Sequence, residues 1–347
     1  MRALILRRPG EAVVAAVEEP RLHGAFLNDP HNDDEKILLK VRMVGLCGSD
    51  LNSFRGKNPM VSFPRIPGHE IAATIVEGST RHPALAAGVN VTVSPYTNCA
   101  QCPSCLRNRP NACQFNQTLG VQRDGALTEY LLMPTEKLYP AKLNLQELCW
   151  VEPLTVGAHA VCRGRVTAQD TVAVFGCGGV GLGAIAASHF RGARTIAIDI
   201  DANKLAIARM AGAAHTIDTQ SESLQEKLIE LTGGRGPDVI VEAVGQPETF
   251  RGAVEEVAFT GRVVYIGYAK EPVAYETRLF VQKELDILGS RNALPGDFHE
   301  VIRMLESHAF PVQAAISGIA SLEEVPDLLR AWSDNPGRYT KIMVRMD

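Results

Sequence analysis

Thr171-Val172-Ala173-Val174-Phe175-Gly176-Cys177-Gly178-Gly179-Val180-Gly181 decides the fold of the second half of this chain. Its first five residues form a β-rich apolar run, which reads as a buried strand. Glycines at 176, 178 and 181 then give G-x-G-x-x-G, and the apolar run 180–190 reads as a helix. In that context Gly176 permits the tight turn, Gly178 lets backbone approach a pyrophosphate, and Gly181 lets helix and strand pack closely. Amides at the helix start, including Gly179 and Val180, favour the negative charge of that pyrophosphate. Asp199 ends the next strand, 18 residues beyond Gly181. A carboxylate there accepts hydrogen bonds from the ribose hydroxyls of NAD and repels the 2′-phosphate of NADP. Lys204 is placed to reach the adenosine ribose. The competing role for Asp199 is a cap on the following helix.

Outward from this turn the chain alternates strand and helix. Strands are expected at 171–175, 195–198, 215–217, 238–241, 262–266 and 285–288, with helices at 180–190, 202–210, 223–231 and 250–259. That alternation predicts an α/β fold with a doubly wound parallel sheet. One more helix, 298–307, and a strand at 341–344 follow. The first half carries short apolar runs broken by Gly and Pro at 37–44, 71–76 and 89–94, which read as strands of a barrel-like β domain. The polar stretch 23–35 reads as a surface loop.

A length of 347 residues favours two domains. Net charge is −4 without a long basic run, so a nucleic-acid surface is not expected. The start, Met1 to Arg8, reads as a strand and not as a signal peptide. The longest apolar stretch, 172–188, is broken by glycines, so no membrane span is expected. Eight cysteines without a signal sequence point to metal ligation and a cytoplasmic location, not disulfides.

Cys99, Cys102, Cys105 and Cys113 have the spacing C-x2-C-x2-C-x7-C. Four thiolates this close can close one tetrahedral shell around Zn2+ and leave no position for substrate, which describes a structural site. A second set, Cys47 with His69 and Glu70, combines a thiolate and an imidazole that suit zinc. Taken alone, each of these has an ordinary structural reading, as core packing or a loop residue.

Gly45-Leu46-Cys47-Gly48-Ser49-Asp50, Gly68-His69-Glu70, the cysteine lobe, Glu152-Pro153-Leu154 and the glycine turn occur in this order. With these marks the whole chain resembles the zinc-containing medium-chain dehydrogenases, in the sorbitol, threonine and sugar-acid branch. The resemblance implies a GroES-like β-barrel catalytic domain, 1–155 and 290–347, with the structural zinc lobe at 95–115. It implies a Rossmann NAD-binding domain at 156–289. It implies two zinc ions per chain, the catalytic one held by Cys47, His69 and Glu152, with Glu70 as an exchangeable carboxylate. Glu152 stands where liver-type relatives have a cysteine, and nearby Cys149 is read as packing. Ser49 matches the hydroxyl that accepts the substrate proton. The relay histidine of many members is replaced by Asn52, which cannot titrate.

A zinc with three protein ligands and an open position acts as a Lewis acid on an alcohol, and hydride then passes to the nicotinamide. The expected reaction is oxidation by NAD+ of a secondary hydroxyl on a sugar acid or polyol. Arg55, Lys57 and Arg123 are candidates to hold a substrate carboxylate, and Arg291 is a candidate cofactor contact. L-threonine or a simple secondary alcohol is the alternative substrate. A zinc-free quinone reductase is opposed by Asp199 and by both zinc sets. An NAD-sensing zinc-ribbon protein is the alternative of another class. The partner expectations are a small polyhydroxy substrate and a homo-oligomer, dimer or tetramer, with pairing near 279–288.

Overall fold

The computed structural model describes residues 1–20, 36–79 and 81–346. The polar stretch 23–35 lies outside them. The chain divides into two compact units, Met1–Glu152 with Ala315–Asp347, and Pro153–Ala314.

The first unit begins with the hairpin β1 (Arg2–Arg8) and β2 (Glu11–Ala16). Its main sheet holds β3 (Lys36–Leu46), β4 (Glu70–Ile75), β5 (Asn90–Val93), β6 (Tyr130–Pro134) and β7 (Leu138–Pro140). The second unit contributes β8 (Thr171–Phe175), β9 (Arg194–Asp199), β10 (His215–Asp218), β11 (Val239–Glu242), β12 (Arg262–Tyr265) and β13 (Asp286–Gly289). The chain then returns to the first unit with β14 (Gly318–Ser321) and β15 (Ile342–Arg345). In the seven-stranded sheet the order is β14-β15-β3-β4-β5-β7, with β6 also on β3. β3 is long enough, at 11 residues, to pair with β4, β15 and β6 along its length. The core beneath it is built from Leu4, Leu39, Val44, Ile71, Val91 and Leu127, all fully buried. Burying side chains of this size stabilises the fold by about 1.5–3 kcal/mol each.

In the second unit six parallel strands run in the order β10-β9-β8-β11-β12-β13. Strand order reverses between β8 and β11, the place where such sheets bind ligands beyond their carboxyl ends. Helices Gly179–Phe190, Ala202–Met210, Leu224–Thr232 and Pro247–Glu256 alternate with the strands, as the sequence pattern predicts.

Three features depart from the expectations. The helix Leu145–Arg163 was not anticipated from its sequence, and it carries Trp150 and Glu152 with Pro153 in its interior. Its residues are apolar around most of the circumference, so no amphipathic stripe announces it. A second unanticipated helix, Val325–Asp334, buries Val325, Leu329 and Trp332. Residues 290–314, expected with the first domain, group with the second unit. The reason is visible at helix Pro295–Glu306: Asp297 bonds His159 at 2.8 Å and Glu300 pairs with Arg191 at 2.7 Å.

Candidate active site and cofactor pocket

Cys47 is the residue before the short helix Gly48–Phe54, and His69 immediately precedes β4. One buried carboxylate ties these two places together. Asp50 Oδ2 accepts the Cys47 amide at 2.9 Å, and its Oδ1 accepts the Gly68 amide at 3.1 Å. Gly68 turns the chain into His69 with φ +97°, in the left-handed region that favours glycine. β3 and β4 are in register so that Gly45 faces Glu70. A Cβ at Gly45 would lie 2.1 Å from Glu70 Oε2, so the glycine makes room for the carboxylate.

Cys47, His69 and Glu70 offer ligand atoms within 4.8 Å of one another. Glu152 is buried in the same unit, and its Oε1 accepts a short hydrogen bond from the Tyr96 hydroxyl. Lys341, just before β15, places its ammonium 2.5 and 2.6 Å from the two oxygens of Glu70. Tyr96, Asp50 and Lys341 were not among the sequence candidates for the site. Asp50 stood in a quoted motif; Tyr96 and Lys341 carry no spacing that marks them.

Electrostatics here call for a cation. Burial pulls His69 toward its neutral form, but the Asp50 charge, with Cys47 and Glu152, outweighs it and lifts the imidazole well above its usual value. Burial pushes the Glu152 carboxyl up; the Glu70 charge adds to this, against His69 and the Tyr96 hydroxyl. Burial likewise works against the Lys341 charge, yet Glu70 and Cys47 hold its pKa above the usual lysine range. His69 Nδ1 and Ser49 Oγ are buried without a hydrogen-bond partner among the described residues. Soft and hard donors gathered around orphaned polar atoms suit Zn2+.

The four lobe cysteines also converge, with sulfurs within 4.8 Å of one another. Cys102 Sγ lies 3.5 Å from Cys105 Sγ and 3.8 Å from Cys113 Sγ. Zinc–sulfur bonds of about 2.3 Å require tetrahedral edges of about 3.8 Å, so this cluster fits the ion. Amides of Cys99 and Phe115 point at Cys113 Sγ at 3.3 Å, and that of Cys102 at Cys99 Sγ at 3.3 Å. The Ser104 hydroxyl, with nearby amides, draws the Cys102 thiol down to about 5, while burial pushes the Cys105 and Cys113 thiols up against their amide donors. Such donors stabilise thiolates. All eight cysteines are free of disulfides.

In the second unit a cavity of about 530 Å³ opens at the switch point, lined by Gly176, Gly178, Asp199, Lys204, Glu222 and Thr249 among others. Gly176 has φ +92°, and a Cβ on Gly181 would lie 1.8 Å from Gly176 O. Gly178 faces open space, with nothing within 4 Å of a built Cβ. The 12-residue helix Gly179–Phe190 begins there, with Gly179, Val180 and Gly181 in its first turn. This cradle fits a dinucleotide pyrophosphate. Asp199 accepts amides from Cys177 at 2.7 Å, Ile200 at 2.8 Å and Asp201 at 3.0 Å. The helix cap is Asp201, which accepts the amides of Asn203 and Lys204, so Asp199 is left facing the cavity.

Of the candidate substrate cations, Arg55 is engaged by Ser333 and Lys57 is exposed. Arg123 lines a small void beside Tyr96.

Two family descriptions match the sequence: "Alcohol dehydrogenase GroES-like domain" over residues 33–143 and "Zinc-binding dehydrogenase" over residues 179–307. A zinc-type alcohol dehydrogenase-like protein of Haemophilus influenzae is 32% identical over 99% of this chain and 98% of its own. The L-galactonate-5-dehydrogenase of Escherichia coli is 32% identical over 88% of this chain and 87% of its own. The solved structure of an Escherichia coli alcohol dehydrogenase complexed with NADH superposes with a TM-score of 0.88, 26% identity and 99% coverage of both chains. These likenesses do not favour an NAD-sensing zinc-ribbon protein. The chain belongs to the zinc-dependent medium-chain alcohol and polyol dehydrogenases, oxidoreductases whose cofactors are zinc and a nicotinamide dinucleotide.

Proposed function

We propose that this enzyme oxidises a secondary hydroxyl of a polyhydroxylated substrate with NAD+, a sugar acid ahead of a neutral polyol. The observation that carries the reading is the Cys47, His69 and Glu70 cluster with Glu152 beside it, where Ser49 Oγ and His69 Nδ1 have no hydrogen-bond partner among the described residues. Cys47, His69 and Glu152 would hold the catalytic zinc, with Glu70 in reserve, and Cys99, Cys102, Cys105 and Cys113 the structural one. When bound, zinc polarises the substrate hydroxyl and the nicotinamide takes up the hydride. Asp50 fixes the two ligand-bearing loops. Tyr96 orients Glu152. Ser49 Oγ receives the hydroxyl proton, and because Asn52 cannot carry it further, the proton leaves by another route.

NAD is favoured over NADP because Asp199, Glu222 and Glu248 give the pocket three carboxylates against Lys204. Such a wall repels a 2′-phosphate. A sugar acid is supported by the likeness to the L-galactonate enzyme. Pairing of copies through β13 is supported by its place at the edge of the six-stranded sheet, with Ile287 and, on the preceding helix, Val281 exposed. Among the described residues no helix is long and apolar enough to cross a membrane. We place the enzyme in the cytoplasm, where its thiols stay reduced.

The test is reduction of NAD+ and NADP+ over a panel of aldonates, polyols, L-threonine and simple alcohols, on protein with its zinc retained. Turnover of an aldonate or polyol with a preference for NAD+ is expected. Turnover confined to L-threonine or simple alcohols would overturn the substrate assignment, and a preference for NADP+ the cofactor assignment.

A further inference from the structure

Lys341 is the one fully buried lysine or arginine among the described residues, at 4% exposure. Its position follows from the sheet: β15 pairs with β3 so that Ile342 faces Leu46, which brings the preceding residue beside the Cys47 segment. The ammonium binds both oxygens of Glu70, approaches Leu46 O at 3.4 Å and lies 5.2 Å from the centre of the Trp150 ring. Those three contacts fall on the three segments that carry Cys47, His69 and Glu152. A buried ion pair gives little net stability over apolar packing of the same volume, so stability alone does not account for it. Glu70 is fully buried, and its carboxylate is close enough to Cys47 and His69 to share a metal with them. The gap left by Gly45 lets it lie on Lys341.

We propose that Lys341 is a positioning residue that holds Glu70 out of the coordination shell of the catalytic zinc and so keeps the substrate position open. This rests on the zinc site proposed above. The physical argument has one sign. Removing the ammonium takes a positive charge from beside a dication, and it leaves a buried carboxylate whose nearest remaining cation is the metal. Both effects make the metal harder to remove.

The experiment follows zinc release from the purified holoenzyme to a chromogenic chelator, with the four-cysteine site as a reference inside every molecule. Cys47→Ser identifies the phase that belongs to the catalytic site. Lys341→Met is expected to slow that phase by about tenfold or more, and to change the visible spectrum of the cobalt-substituted enzyme as a further oxygen joins the shell. Lys341→Arg keeps the charge and the wild-type rate. The double variant Lys341→Met with Glu70→Gln returns to within about threefold of wild type, because no carboxylate remains to be recruited. An unchanged or faster catalytic phase in Lys341→Met would show that Lys341 only braces the fold. Should that variant not fold, the visible spectrum of cobalt-substituted Glu70→Gln decides: a spectrum matching wild type supports the proposal, and the loss of an oxygen ligand places Glu70 already on the metal and overturns it. The absence of any Cys47-dependent phase would instead remove the zinc site beneath the proposal.

Discussion

Cys99, Cys102, Cys105 and Cys113 meet within a span of 14 positions, whereas Lys341 and Glu70 meet across 271. The lobe is local. Its sulfurs face one another, backbone amides and the Ser104 hydroxyl. The second cluster gathers a helix start, a strand start, a long helix and a returning C-terminal strand. It mixes thiolate, imidazole and carboxylate, and it leaves the Ser49 hydroxyl without a partner among the described residues. Four thiolates that close a tetrahedral shell suit a structural ion, whereas three protein ligands that leave a position open suit a catalytic one.

The comparison breaks most sharply at Cys47. Cys47→Ser is expected to lower kcat by about a thousandfold or more while leaving about one zinc per chain, checked by steady-state kinetics and metal analysis. Asp199→Ala spares both clusters. It should raise the KM for NAD+ by about tenfold to a hundredfold and narrow the preference over NADP+, read from kinetics with each cofactor. Cys113→Ser is expected to act on stability first, lowering the thermal midpoint by about 10 °C, equivalent to about 3 kcal/mol for a unit of this size. Residual activity per folded molecule should stay within about tenfold of wild type, because this site touches no substrate. Equal losses of activity from Cys47→Ser and Cys113→Ser would erase the distinction.

The smallest effect belongs to the second unit. Asp170 accepts the amide and hydroxyl of Thr167 and pairs with Arg262. Burial raises its pKa, but those bonds outweigh burial and set it below the usual aspartate value. A depressed folded pKa gives stability that is present above the unfolded value of about 3.9 and is lost as pH falls through the folded one. Asp170→Asn should therefore cost about 2 kcal/mol at pH 7, and the gap should close as pH drops from about 5 toward 3. Urea midpoints of both proteins across that range are the check. A gap that stays constant with pH would show that the carboxylate charge contributes nothing.

Legibility in the sequence followed the same division. The glycine turn and the cysteine lobe are local, and their spacing alone announced them. The candidate ligands Cys47, His69 and Glu152 stand out in sequence only as an ordered set of short marks. Lys341 and Tyr96 were not legible, since what makes them part of the site is strand register and burial, not neighbours in sequence. The helix Leu145–Arg163 escaped because burial around most of its girth removes the periodicity that reveals surface helices. Residues 290–314 were misplaced because the His159–Asp297 and Arg191–Glu300 links that hold them join distant positions.

The first unit closes only when β15 slides between β14 and β3. On the ribosome, residues 315–346 are made after the whole of the second unit. The parallel sheet can thus be finished while the seven-stranded one still has an open seam beside β3, the strand that leads into Cys47. During synthesis the nascent chain must shield that seam for the time needed to translate 153–314, roughly 10 to 30 s at 5–20 residues per second. A stalled or prematurely ended message would release a chain with a complete dinucleotide half and an exposed β edge, a natural target for chaperones and proteases.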